Sequence, residues 1–373
     1  RGRQARPRPP RARLVGPAPS ASRRGRRRSR RPRRLADDRS PALQALIDGA
    51  RREGALSLVW GEGTIGGTEG VQKLAEGFNR YYGLNLNVRF TPGPSMPNMA
   101  ARIVDEYNGG RAATTDVFVG YGGWITIIRQ ADALLPVDWA SWAPNIQDPQ
   151  VVAAGGRAVG IQSGVQGITY NTNRVRPEEV PTSLEDLLKP QYKGRLASTP
   201  YASGFDRLPV PELWGEARTL EFVRRYADQL AGLIRCNETE RVASGEFEIF
   251  ALDCNQSNAL NARRRGAPVG FTIAADAPFV QIMYAAAPRN APHPNAAQLW
   301  VNYLVSREAQ DVLYDIDLSD YHLLPGSKTG ADIQRLVGPN VKPIEIGVEF
   351  YERHDENELN RLRGEIERLL AKR

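Results

Sequence analysis

Residues 245–313 read GEFEIFALDCNQSNALNARRRGAPVGFTIAADAPFVQIMYAAAPRNAPHPNAAQLWVNYLVSREAQDVL. The stretch opens with an apolar strand over 247–252, closed by a polar turn of Asp253, Cys254, Asn255, Gln256 and Ser257. A second apolar run follows over 280–286, and Pro294 then opens a helix, its fixed φ and missing N–H suiting a first helical position. In that helix Ala297, Trp300, Val301 and Leu304 fall at i, i+3, i+4 and i+7, a single buried stripe.

Outward from this block, helix and strand patterns alternate. Residues 41–53 read as a helix and 56–60 as a short buried strand. Val71, Leu74, Ala75, Phe78 and Tyr82 mark one face of an amphipathic helix over 69–82. A strand over 86–90, a helical face of Met99, Ala100, Ile103, Val104 and Tyr107, and a strand over 116–119 follow. Such alternation predicts an α/β chain with mostly parallel sheets flanked by helices. The stretch 158–171 is extended and broken by Gly160, Gly164 and Gly167, which are expected to absorb backbone change at a crossover between two lobes. The return crossover falls at about 272–279, making a two-strand hinge. Between the crossovers lie helices over 184–188, 212–230 and 238–244, with strands over 194–198 and 247–252. The expected division is residues 1–40 as a tail, 41–162 plus 276–373 as lobe 1, and 163–275 as lobe 2. The terminal stretch 352–373 carries Glu358, Arg361, Glu365 and Arg368 at helical spacing, predicting a solvated helix laid on lobe 1.

The 373 residues suffice for two domains, and the net charge of +8 is unevenly spread. Residues 1–40 hold 16 arginines against Asp37 and Asp38, a charge of +14. The remaining 34 basic and 40 acidic side chains leave residues 41–373 at −6. The Arg/Pro-rich tail has too few apolar residues to offset the entropy of ordering, and is expected to be disordered. Three readings of it stay open: a nucleic-acid arm, an anionic-lipid arm, or a coding region read from a wrong start or frame. No apolar signal-peptide core precedes residue 41, and no run approaches a membrane span. Two cysteines, Cys236 and Cys254, leave a choice between one bridge and two thiols.

In open α/β sheets ligands gather beyond the carboxyl ends of strands. Four loops qualify here: 60–68, 120–124, 201–204 and 253–257. They supply aromatic platforms in Trp60, Tyr121, Trp124 and Tyr201, and polar contacts in Glu62, Thr64, Ser203, Asp253, Asn255 and Ser257, with Ser163 added from the crossover. Gly61, Gly63 and Gly66 match a dinucleotide pattern, but no acidic residue follows in a convincing βαβ unit, so no nucleotide is expected. Nucleophile-elbow and zinc-helix motifs are both absent, and no catalytic residues are assigned.

Several motifs, taken in order, resemble one family. They are Tyr170-Asn171-Thr172, Lys193-Gly194-Arg195-Leu196, Gly245-Glu246, Gly266-Ala267-Pro268 and Ala291-Pro292-His293-Pro294-Asn295-Ala296-Ala297. Together they resemble the solute-binding proteins of bacterial ABC importers, of the iron/thiamine/polyamine type. The resemblance implies a two-lobed type II periplasmic-binding-protein-like fold and a periplasmic location. It also implies hinge closure on a small polar organic solute and delivery to membrane permease subunits. A monomer with no cofactor, no nucleic-acid partner and no enzymatic activity is expected. Many such relatives bind ferric ion through adjacent tyrosines, and the matching place here, 253–258, holds none. Tyr81-Tyr82 ends a first-lobe helix and reads as structural, so no metal ligands are assigned, and the alternatives are a ferric-ion-binding transport protein or an enzyme on the same two-lobed scaffold.

Overall fold

The computed structural model describes residues 40–236, 238–337 and 341–372. The arginine-rich segment expected to be disordered lies outside them, apart from Ser40. Ser40 caps the first helix, α1 (Pro41–Glu53), by accepting from the Leu43 N–H at 3.2 Å. Then come β1 (Ala55–Trp60), α2 (Gly67–Tyr82), β2 (Asn87–Pro92), α3 (Met96–Asn108), β3 (Phe118–Tyr121) and α4 (Gly122–Gln130). The first half closes with β4 (Val152–Ala153) and the crossover strand β5 (Ala158–Val165). β5 passes through Gln166 into β6 (Gly167–Asn171), which is followed by β7 (Leu196–Ser198), α5 (Glu216–Ala227) and β8 (Leu230–Leu233). Next are α6 (Thr239–Ala243), β9 (Ile249–Asp253), α7 (Gln256–Arg264) and β10 (Val269–Thr272). The chain returns through β11 (Phe279–Ala286), α8 (Pro294–Leu304), α9 (Arg307–Asp317) and α10 (Lys328–Val337). It ends with β12 (Ile344–Ile346), α11 (Val348–Arg353) and α12 (Glu356–Ala371).

The strands form two main sheets. One runs β12-β11-β5-β4 with β3 also on β11; the other runs β10-β6-β9-β7-β8. β1 and β2 form a parallel pair bridged to the residue before β3 through Leu58 and Val117. Pairing is mixed rather than mostly parallel: among the described residues four of nine ladders are parallel. Every antiparallel ladder involves β5, β6 or β11, the strands that pass between lobes. A strand entering from the opposite lobe arrives head-on to the local βα units, which explains the departure.

Each sheet has its own core. Phe78, Tyr82, Trp300 and Tyr303 cluster edge to face beside Ile47, Leu56 and Leu58. The expected stripe of Ala297, Trp300, Val301 and Leu304 is wholly buried there. The Tyr82 hydroxyl donates to the Leu299 carbonyl at 3.2 Å, so this tyrosine is a core residue. The second core gathers Leu196, Phe205, Phe222, Tyr226 and Ile249.

Two expectations change. Gly160, Gly164 and Gly167 do not adopt positive φ, and they are glycines because other groups crowd them. A Cβ at Gly160 would lie 2.4 Å from the Tyr321 ring, and one at Gly167 would lie 2.3 Å from the Thr272 carbonyl oxygen. The terminal helix α12 does not rest on the first lobe. Leu359, Ile366 and Leu370 join Phe222 and Tyr226 in the second core, and Arg361 bonds Glu216 of α5 at 2.9 Å. Its surface ion pairs were readable along one helix, but its apolar stripe chose a partner distant in sequence. α11, just before it, packs on α4.

Candidate functional site

A cleft of about 580 Å³ opens between Tyr121, Trp124 and Arg129 on one side and Tyr201, Ser203 and Arg207 on the other. Tyr351 and His354, at the end of α11, close a third wall. Tyr121 ends β3 and caps α4, so the short sheet strand aims it outward, and Trp124 follows one turn into the helix. Tyr201 is 37% exposed, its hydroxyl accepting from the Cys236 N–H at 2.9 Å. Cys236 and Cys254 form a disulfide with Cα atoms 5.5 Å apart, fixing the floor of this wall. Ser203 Oγ lies 3.3 Å from the Cys254 sulfur and accepts from the Gln166 amide at 3.3 Å.

Contacts already cross the back of the cleft. The Tyr121 phenol is hydrogen-bonded to Asn255, and the Asn255 amide packs where a Cβ at Gly164 would lie 3.2 Å away. Burial pushes the Tyr121 phenol up, with the Asn255 bond opposing, the Asp317 carboxylate adding to the rise and Arg207 opposing it. Arg264 of α7 also donates to the Asp315 carbonyl of α9 at 3.1 Å.

Of the residues expected to contact ligand, Tyr121, Trp124, Tyr201 and Ser203 line this cleft, and Asn255 touches it through Tyr121. The others lie elsewhere. Trp60 is 2% exposed, packs on Phe90 and donates its indole N–H to the Thr64 carbonyl at 3.1 Å. Glu62 caps α2, accepting from the Thr68 N–H at 2.9 Å and from its hydroxyl at 3.1 Å. The helix N-terminus behind the glycine loop is therefore filled by the chain's own carboxylate. Asn255 caps α7 by accepting from the Ser257 N–H at 3.1 Å, which accounts for that turn.

Asp253 is fully buried at the end of β9, accepting from the Thr169 hydroxyl at 2.6 Å. Burial raises its pKa to about 6, with the Thr169 and Asn258 bonds opposing. Ser163 faces the side of β5 opposite Gly164 and is fully buried. Its Oγ lies 2.7 Å from His322 Nδ1 and accepts from the His322 N–H at 3.0 Å, while His322 Nε2 lies 3.3 Å from Glu345. The constellation has the form of a catalytic relay, but the hydroxyl is shut away from the cleft. It ties β5, the turn before α10 and β12 together.

Sequence reasoning missed Arg207, Asp206, Tyr351 and Arg363. Asp206 is 7% exposed and accepts from Arg207 at 2.8 Å and from Arg363 of α12 at 3.1 Å. Burial opposes the Arg207 charge, but the Asp206 carboxylate and the Tyr351 hydroxyl outweigh it. The available signal was the adjacent Asp206-Arg207 pair just beyond the 201–204 loop; nothing local marked α11 as a cleft wall.

The chain matches the family model of bacterial extracellular solute-binding proteins over residues 109–333. It is 29% identical over 157 residues to an Fe(3+)-binding periplasmic protein of Serratia marcescens, a match spanning 41% of this chain and 44% of that relative. Its fold resembles the iron-bound HitA of Pseudomonas aeruginosa at 18% identity, covering 84% of this chain and 99% of that one, with a TM-score of 0.62. The spermidine/putrescine-binding PotD of Streptococcus pneumoniae is similar at 15% identity, with 84% and 98% covered and a TM-score of 0.63. At these identities the structural likenesses speak for the two-lobed periplasmic-binding fold alone. With the family model covering well over half of the sequence, the chain belongs to the bacterial extracellular solute-binding proteins.

Proposed function

We propose that this protein is the periplasmic solute-binding component of an ABC importer, capturing a small polar organic solute and presenting it to membrane permease subunits. The carrying observation is the cleft of about 580 Å³ lined by aromatic and polar groups from both halves of the chain. That size falls in the range of roughly 300–1,000 Å³ usual for small-molecule sites. A solute touching Tyr121 and Trp124 on one side and Tyr201 and Ser203 on the other gains its full contact only in the shut form. Its binding energy therefore shifts the open–closed equilibrium toward the shape a permease recognises. The division into lobes at about residues 163 and 275 is part of this reading, with α12 reassigned to the second lobe. Solution scattering on the full chain, with and without solutes identified by native mass spectrometry, tests it. A fall in radius of gyration is expected; a bound solute with no compaction refutes hinge capture.

Ferric ion is the second reading, favoured by the iron-binding relative and by Tyr121 and Tyr351 facing one cleft. One feature weighs against it: among the described residues no group of three His, Cys, Asp or Glu is placed to hold a metal. Titration with ferric nitrilotriacetate separates the readings: a tyrosinate-to-iron absorption band supports iron, and its absence removes it.

A further inference from the structure

Arg207 lies in the 3-10 turn Phe205–Arg207, its side chain only 12% exposed, and it lines the cleft. Its Nε is buried and has no hydrogen-bond partner among the described residues. A buried donor on a charged group is costly to leave unpaired, and native proteins seldom do so without a use. Its other bonds are fixed: one terminal nitrogen donates to Asp206 at 2.8 Å, and the guanidinium also holds the Tyr351 hydroxyl.

The local charge does not cancel. Asp206 gives one oxygen to Arg207 and the other to Arg363, so one carboxylate is shared by two guanidinium groups and the cluster keeps a charge of about +1. Of the four other acids on the same cleft, two are occupied. Glu352 pairs with Arg129 at 2.8 Å, and Asp355 caps α12 by accepting from the Glu358 N–H at 2.9 Å. The other two, Glu356 and Glu367, lie on α12, with Glu356 exposed to water. The Tyr121 phenol lines the same cleft as this cluster.

We propose that the cleft takes a solute bearing an acidic group, carboxylate or phosphonate, seated on the Arg207 guanidinium, with its remainder between Trp124 and Tyr201. The assignment rests on the solute-binding reading above and narrows it to an anion. A planar guanidinium fork matches both acid types, and Asp206, bonded through Arg363 to the terminal helix, acts as the positioning residue that orients it.

Thermal shift and titration calorimetry on the full chain test this, using two probe sets. The anions are benzoate, succinate, phenylphosphonate and inorganic phosphate; the controls are benzamide, benzylamine and spermidine. At least one organic anion should stabilise the protein at millimolar concentration while its neutral or cationic counterpart does not. Benzoate against phenylphosphonate tells carboxylate from phosphonate, and binding of inorganic phosphate alone would mean simple anion attraction and overturn the assignment. Arg207→Gln should weaken the anion about ten- to a hundredfold, the usual weight of one charge-assisted bond. Arg207→Lys, which keeps the charge and loses the fork, should fall between and guards against a misfolded first variant. Selective binding of benzylamine or spermidine, unaffected by Arg207→Gln, overturns the anion and leaves solute capture intact. If no probe binds, the solute carried by the purified protein decides: a cationic or neutral mass overturns the assignment, and an acidic one whose retention is lost in Arg207→Gln upholds it. Failure of every solute to compact the protein would instead sink the solute-binding reading itself.

Discussion

Asp253 gives a sharp test of how burial works beside the cleft. In the folded chain its carboxyl has no exposure and a pKa of about 6, against an ordinary value of 3.8. A shift of roughly two units corresponds to about 3 kcal/mol between its protonated and charged forms. The sign follows from which state holds the proton more tightly. Because the folded pKa is the raised one, the stabilising contribution is complete below about pH 3.8 and disappears as pH rises through about 6. Asp253→Asn removes the ionisation and keeps a carbonyl acceptor for Thr169. Urea unfolding of both proteins, disulfide intact, should be measured at intervals from about pH 4 to pH 7. The stability of the parent minus that of the variant should fall by up to about 3 kcal/mol across the range. Other carboxylates titrate alike in both and cancel. A constant difference, or one that grows with pH, would refute the argument that desolvation governs this group.

Two further outcomes follow from the packing. Asp116, fully buried, accepts from the Ser57 N–H at 2.6 Å and from the backbone and ring of His293 at 2.8 Å each, so Asp116→Ala strands three donors. A loss of about 3 kcal/mol or more in urea unfolding, with solute affinity unchanged, is expected, and a loss below about 1 kcal/mol would show the donors find water. Reducing the Cys236–Cys254 bridge, which spans 18 residues, should cost about 3 kcal/mol by releasing the unfolded chain. It should also weaken solute binding, because Tyr201 and Ser203 lean on the two sulfurs; unchanged affinity after reduction would separate the bridge from the site.

Local pattern determined a good deal about this chain. The stripe of Ala297, Trp300, Val301 and Leu304 predicted a buried helix, and all four are wholly inside. The 41–53 helix, the strand ahead of the polar 253–257 turn and the extended segment beginning at 158 were equally readable. Such features survive because helix and strand periodicity states which face is buried whatever lies opposite. Partners across long separations are not written that way. Trp60 and Tyr121 both stand at strand ends, yet one turns into the core against Phe90 and the other faces the cleft. Glu62 looked like a ligand contact until α2 claimed it as a cap. Ser163 found His322, 159 residues on, and Asp206 joined Arg207 to Arg363 of a helix that sequence spacing alone would have laid elsewhere. The sequence by itself determined the segments and their apolar faces. Only the tertiary structure decided which polar groups meet, because each meeting depends on the register of two distant pieces of chain and on which of them remains without a partner.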